Sequence, residues 1–192
     1  MAHSVFALVD STFEPFRAGE LLVKPASEPW EKQAYFALRR SVFSDEQQLL
    51  VQDKDSHDFQ AIAIVALAGN CGIADQVVGA VRIYQPEPGL WFGGRLCVAP
   101  AYRRRSMIGK ALVNEAVSRA KDLGCEVFRA TVQAQNEGYF HGLRWHSLEQ
   151  LELLGQPHCL MQADLASYPL MPRQVSLRAL KVSRQISGPV DS

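Results

Sequence analysis

The chain has 192 residues, 47% of them hydrophobic and 21% charged, with zero formal net charge. That length suits one domain with a sizeable core. The balanced charge excludes a bulk attraction to nucleic acid or an anionic membrane and leaves Arg103, Arg104 and Arg105 as a local basic cluster. No apolar run approaches the ~20 residues that span a bilayer. Residues 1–16 lack the basic start and apolar stretch of a signal peptide. Cys71, Cys97, Cys125 and Cys159 are scattered, which predicts reduced thiols in a cytoplasmic protein. The five histidines show no metal-ligand spacing, so no metal is expected.

Residues 1–20 have no clear period and read as an N-terminal arm. Leu21–Lys24 predicts an edge strand ahead of Pro25. Pro29 fits the first turn of a helix in which Ala34, Leu38 and Val42 recur on one face. A second short helix is expected over Ser44–Val51, then a polar loop from Asp53 to Asp58. Ala61–Ala68 predicts a strand buried on both faces. Asn70, Gly72 and Asp75 mark a turn before a β-branched strand over Val77–Tyr84. Pro86, Pro88 and Gly89 break the chain ahead of a strand over Trp91–Val98.

The clearest helix follows, with Ile108, Leu112, Ala116 and Ala120 on one stripe, widened by Val113 and Val117 and ended by Gly124. Val127–Ala134 reads as a strand and Gly138–Leu143 as a short helix. Leu148–Leu154 and His158–Leu165 read as two closing strands around Gly155–Gln156–Pro157. Trp30, Trp91 and Trp145 are expected in the core. The order predicts an α/β (α+β) fold, a mixed sheet flanked by helices, over residues 21–169. Residues 170–192 read as a tail or docking segment.

One stretch carries chemistry. Around Leu96–Cys97–Val98–Ala99–Pro100 a strand runs into the basic loop, and the loop into a helix through Ser106, Met107, Ile108, Gly109 and Lys110. The first turn of a helix offers unpaired N–H groups and a partial positive charge, a natural seat for a pyrophosphate. Arginines add charge, and Gly109 allows close backbone approach.

These residues resemble the cofactor loop of the GNAT N-acetyltransferases, Arg/Gln-x-x-Gly-x-Gly/Ala after a strand ending in Val-x-Pro. Arg104 and Gly109 occupy the outer positions of that pattern, and Met107 stands where the middle glycine would be. Should position 107 need φ > 0, that replacement would cost ~1–2 kcal/mol. Arg39–Gln47 is similar to an Arg-x-x-Val-Phe-x-x-Glu-Gln stretch of ElaA-like members. Trp30–Glu31, Arg95–Leu96, Gln133–Asn136 and Pro157–Leu165 are similar to landmarks of the nitrogen-starvation N-acetyltransferase family. The resemblance covers residues 21–169. It implies a GNAT fold, acetyl-CoA or another acyl-CoA as co-substrate, and a small-molecule amine as acceptor. Members often pair through their closing strands, so a homodimer is a further expectation.

The chemistry so implied needs a neutral amine. At pH 7 deprotonating a lysine-like amine costs ~4.6 kcal/mol, and a general base lowers that cost. Glu46, matched to the Glu-Gln stretch, and His158, at the start of a closing strand, are the candidate bases. His57 and Asp58 are weaker ones. Tyr139 is the candidate acid, although the family's usual tyrosine slot falls on Phe140. Cys97 and Val98 offer strand N–H groups to the thioester oxygen, and Asn136 is a further cofactor contact. Arg39, Arg82 and Arg95 are candidates for an anionic acceptor. Two other readings compete. One is an acyl-homoserine-lactone-type synthase, since Arg39 and Phe43 fit its Arg-x-x-x-Phe helix. The other is a CoA-binding sensor or assembly subunit without turnover.

Overall fold

The computed structural model describes residues 20–48, 50–70, 73–103, 106–168, 170 and 175–178. Apart from Glu20, the expected N-terminal arm lies outside them, as do Cys71, Arg104, Arg105 and most of the C-terminal stretch.

Eight strands form one mixed sheet in the order β6-β7-β5-β4-β3-β2-β1-β8. They are β1 (Glu20–Pro25), β2 (Ile62–Asn70), β3 (Ile73–Glu87), β4 (Leu90–Val98), β5 (Val127–Gln133), β6 (Trp145–Leu153), β7 (Gln156–Ala163) and β8 (Val175–Arg178). Helix α1 (Pro29–Arg40) covers one face, and α2 (Ser106–Asp122) the other, with the one-turn helix α3 (Glu137–Gly142) placed between β5 and β6 in the chain. The result is an α+β arrangement, a mixed sheet flanked by helices, as expected. No helix among the described residues is long and apolar enough to cross a membrane.

Local chemistry explains the helices. Pro29 opens α1 with its φ already helical. The Glu31 carboxylate accepts from the Ser27 and Glu28 N–H groups, satisfying donors that the first turn leaves free. The stripe of α2 is buried as its period predicts, with Ile108, Leu112, Val117 and Ala120 fully covered. Helix α2 comes so close to β3 that a Cβ on Gly79 would meet Leu112 Cδ1 at 2.8 Å, so a larger residue there would force the Leu112 side chain to shift.

Several elements differ from expectation. Beyond Arg40 there is no separate helix over Ser44–Val51. Helix α1 runs straight into a π-helical turn, Ser41–Glu46, and the chain then bends at Gln48 with φ 52°. The buried face of α1 is Glu31, Tyr35 and Arg39, whereas Ala34 and Leu38 are only half-buried. Asp75 lies inside β3 instead of a turn, and β3 runs through Pro86 to Glu87. Trp91 and Trp145 are core residues, but Trp30 is exposed. In the basic C-terminal stretch, Val175–Arg178 pairs antiparallel with β1.

Candidate active site

The site begins at a break in the sheet. β4 and β5 are parallel neighbours only from Leu90↔Val127 to Gly93↔Ala130. Beyond that point β4 bulges, with Arg95 at φ 56°, and β5 follows β7 as far as Gln133↔His158. The two strands splay apart and leave backbone groups of β4 without a strand partner on that side. Ala99 N–H donates to Val78 O at 2.8 Å. Alternation along an antiparallel strand then turns the Val98 N–H away from β3, toward the cleft, and the Cys97 N–H toward β3. Of the two strand residues expected to hold a thioester oxygen, only Val98 has the right direction. Cys97 packs on the α1 side of the sheet, and burial pushes its thiol up to about 12.

A cavity of about 270 Å³ fills the splay. Gly94, Arg95 and Leu96 form one wall, and Ala130, Thr131 and Val132 the other. Phe43 and Gln47 close it from the α1 side, and Phe140 of α3 and Asn136, just ahead of α3, from the other. His158, Leu153 and Leu154 stand at the β6–β7 end. The His158 Nδ1 lies 2.8 Å from the Gln156 carbonyl. A carbonyl only accepts, so Nδ1 is the donor, and in the neutral ring Nε2 carries the lone pair. Gln133 donates to Gln47 and accepts from Gln135, which sets a row of amides along the same mouth.

Glu46 is placed differently from the expectation of a free base. Its two oxygens receive both terminal nitrogens of Arg103, at 2.5 and 2.6 Å. This bond holds its carboxyl below the usual range, which weakens it as a proton acceptor. Arg103 is thereby occupied too, and its Nε donates to Val98 O. The two other basic residues of the loop lie outside the described residues. Tyr139 does not line the cavity. Its hydroxyl rests on the first turn of α2, 2.8 Å from where a Cβ on Gly109 would stand, and burial raises its pKa. Gly109 thus makes room for Tyr139, where the sequence reading has it making room for a ligand. Met107 is helical, without positive φ, so the expected backbone cost does not arise. Met107 and Lys110 are exposed on the first turn, while Ile108 points into the core.

The three arginines expected to bind an anionic acceptor are paired internally. Arg39 is 0% exposed and reaches Asp53 and Asp58, each at 2.6 Å. Arg82 reaches Asp55 at 2.6 Å and Asp58 at 3.0 Å. Arg95 reaches Asp53 at 2.9 Å and Asp55 at 3.1 Å. Burial would raise the pKa of Asp58, but hydrogen bonds from Arg39 and from the Asp55 N–H hold it well below the carboxylate range. Their role is to position: they tie the 53–58 loop to α1 and β3 and anchor the bulge at Arg95. His57 of that loop stacks on Tyr84 instead of facing the cavity. Asp58, expected as a weaker candidate base, is thus a partner of Arg39 and Arg82, and Asp53 and Asp55, expected only as part of a polar loop, are partners in the same network. The signal was present in three arginines on a helix and two strands, each needing a carboxylate.

The residues fit an acyl-CoA. An open strand edge suits an extended arm with amides, Asn136 lies at its side, and the first turn of α2 follows directly.

Comparisons with known proteins agree with this fold. No curated protein matches the chain. Among solved structures, a Lactobacillus plantarum protein assigned as an N-acetyltransferase shares 20% identity, over 76% of this chain and 98% of its own, with a TM-score of 0.67. Escherichia coli ElaA shares 20% over 75% and 98%, with a TM-score of 0.64. An acyl-CoA N-acyltransferase from Pseudomonas aeruginosa shares 23% over 74% and 97%, with a TM-score of 0.62. These likenesses establish the fold. The model of the Acetyltransferase (GNAT) family matches residues 18–140, more than half of the chain, and the protein belongs to that family of acyltransferase enzymes.

Proposed function

We propose that the protein transfers an acetyl or related acyl group from acyl-CoA to the amine of a small metabolite, with His158 as general base. The observation that carries this reading is the free Nε2 of His158 on the wall of the cavity that Gly94–Leu96 of β4 also line. In the reaction the amine nitrogen attacks the thioester carbon. The C–N bond forms, the C–S bond breaks, and the amine proton passes to His158 Nε2. The thiolate leaves and takes a proton from water, giving an amide and free CoA. The Val98 N–H meets the developing oxyanion. Val98, Met107, Gly109, Lys110 and Asn136 flank the cofactor's path, and Arg103 joins them when it leaves Glu46. Tyr139 of α3, whose hydroxyl lies against the first turn of α2, acts as a cofactor contact. A link to nitrogen starvation rests on the sequence resemblance alone.

Two measurements test the reading. Acetyl-CoA at 100 times its Kd should stabilise the protein by ~2.7 kcal/mol, read as a rise in melting temperature. With an accepted amine, His158→Gln should lower kcat at least ~100-fold with acetyl-CoA affinity within about twofold. A variant that keeps its rate removes His158 from the chemistry. A second reading is favoured by the pairing of Glu46 and the absence of Tyr139 from the cavity: a CoA-binding subunit without turnover. Binding of acetyl-CoA with no transfer to any amine in a broad panel would select it.

A further inference from the structure

The cavity extends further than an acetyl group requires. Its mouth is polar, with Gln47, Gln133, Asn136 and His158. Its inner end passes between β4 and β5 into the main core, against Val113 and Ala116 of α2, Phe128 of β5 and Trp145 of β6. All four side chains are almost wholly buried. None offers a polar atom to the space, because the Trp145 indole N–H donates to the Tyr168 hydroxyl at 2.9 Å. The full cavity, at about 270 Å³, exceeds the ~150 Å³ of an apolar cavity that stays dry and accepts benzene. An empty apolar void costs stability in proportion to its volume.

We infer that this inner chamber receives the alkyl chain of an acyl-CoA longer than acetyl. The inference rests on the reading of the cleft as the thioester site. The chamber is continuous with that site and opens from it at the bulge, so a chain attached to the thioester carbon enters without leaving the cavity. The substrate class is a saturated acyl-CoA of medium length.

Affinity across a chain series decides the matter. The intact protein is titrated by calorimetry with CoA and with acetyl-, butanoyl-, hexanoyl- and octanoyl-CoA. Affinity should rise by up to about fourfold per added methylene (~0.8 kcal/mol) until the chamber is full, placing hexanoyl-CoA at least tenfold above acetyl-CoA. Ala116→Phe, which fills the chamber, should lower the ratio of hexanoyl- to acetyl-CoA affinity at least tenfold. The series on the unaltered protein stands alone where that variant does not fold. Equal or falling affinity with chain length overturns the chamber while leaving the cleft reading intact. No affinity for CoA or any thioester overturns the cleft reading, and the chamber with it.

Discussion

Glu46 and Arg103 each have one obvious job when considered alone, and neither does it while the two are paired. The ion pair is bidentate but open to water on both sides, where such pairs contribute little. A pyrophosphate at the loop therefore competes for Arg103 on easy terms. Glu46→Gln should tighten CoA binding by no more than about fivefold and leave kcat within about twofold, both read from steady-state kinetics and calorimetry. A tenfold fall in kcat would return Glu46 to the chemistry. Gly109 presents a similar residue-level trade. Alanine improves helix propensity by ~1 kcal/mol, but its Cβ would press on the Tyr139 hydroxyl.

At the level of elements, the bulged strand β4 is the working part, and the 53–58 loop is its brace. A non-glycine residue at φ > 0 costs ~1–2 kcal/mol, and Arg95 is kept there by Asp53 and Asp55. Those carboxylates are fixed in turn by Arg39 and Arg82. Removing one member of a buried pair leaves a charge without its partner, which is worse than removing both. Asp53→Ala should therefore destabilise the protein by about 3–5 kcal/mol, measured by urea unfolding. The double variant Asp53→Ala, Arg39→Met should recover part of that loss. Equal loss in single and double variants would mean that the network is not coupled.

For the whole molecule, the same network sets acid stability. Burial opposes the charged forms of Asp55 and Asp58, yet bonds from Arg82 and Arg39 outweigh it and depress both pKa values. A depressed carboxylate contributes its stability above the unfolded value of ~3.9 and loses it as pH falls through the folded value. The melting temperature should thus drop steeply below about pH 4, and less steeply in Asp58→Asn. An unchanged slope in that variant would remove Asp58 from acid unfolding. The sheet is what brings the members together, since it sets β3 and β4 beside each other with α1 packed across them.

What the sequence by itself determined is what repeats locally. The stripe of α2, the two-sided burial of β2, the Val-x-Pro strand end and the loop-to-helix junction were all legible, because period and turn chemistry act within a few residues. The tertiary structure alone decided the rest, because the decisive contacts span long stretches of chain. Arg39 meets Asp58 across 19 residues, Arg82 meets Asp55 across 27, and Glu46 meets Arg103 across 57. No local pattern distinguishes a base from a paired carboxylate, or a ligand-binding arginine from a buried brace. Only the approach of distant elements fixes which charge neutralises which. It also fixes which side chains, His158 among them, are left facing the cavity.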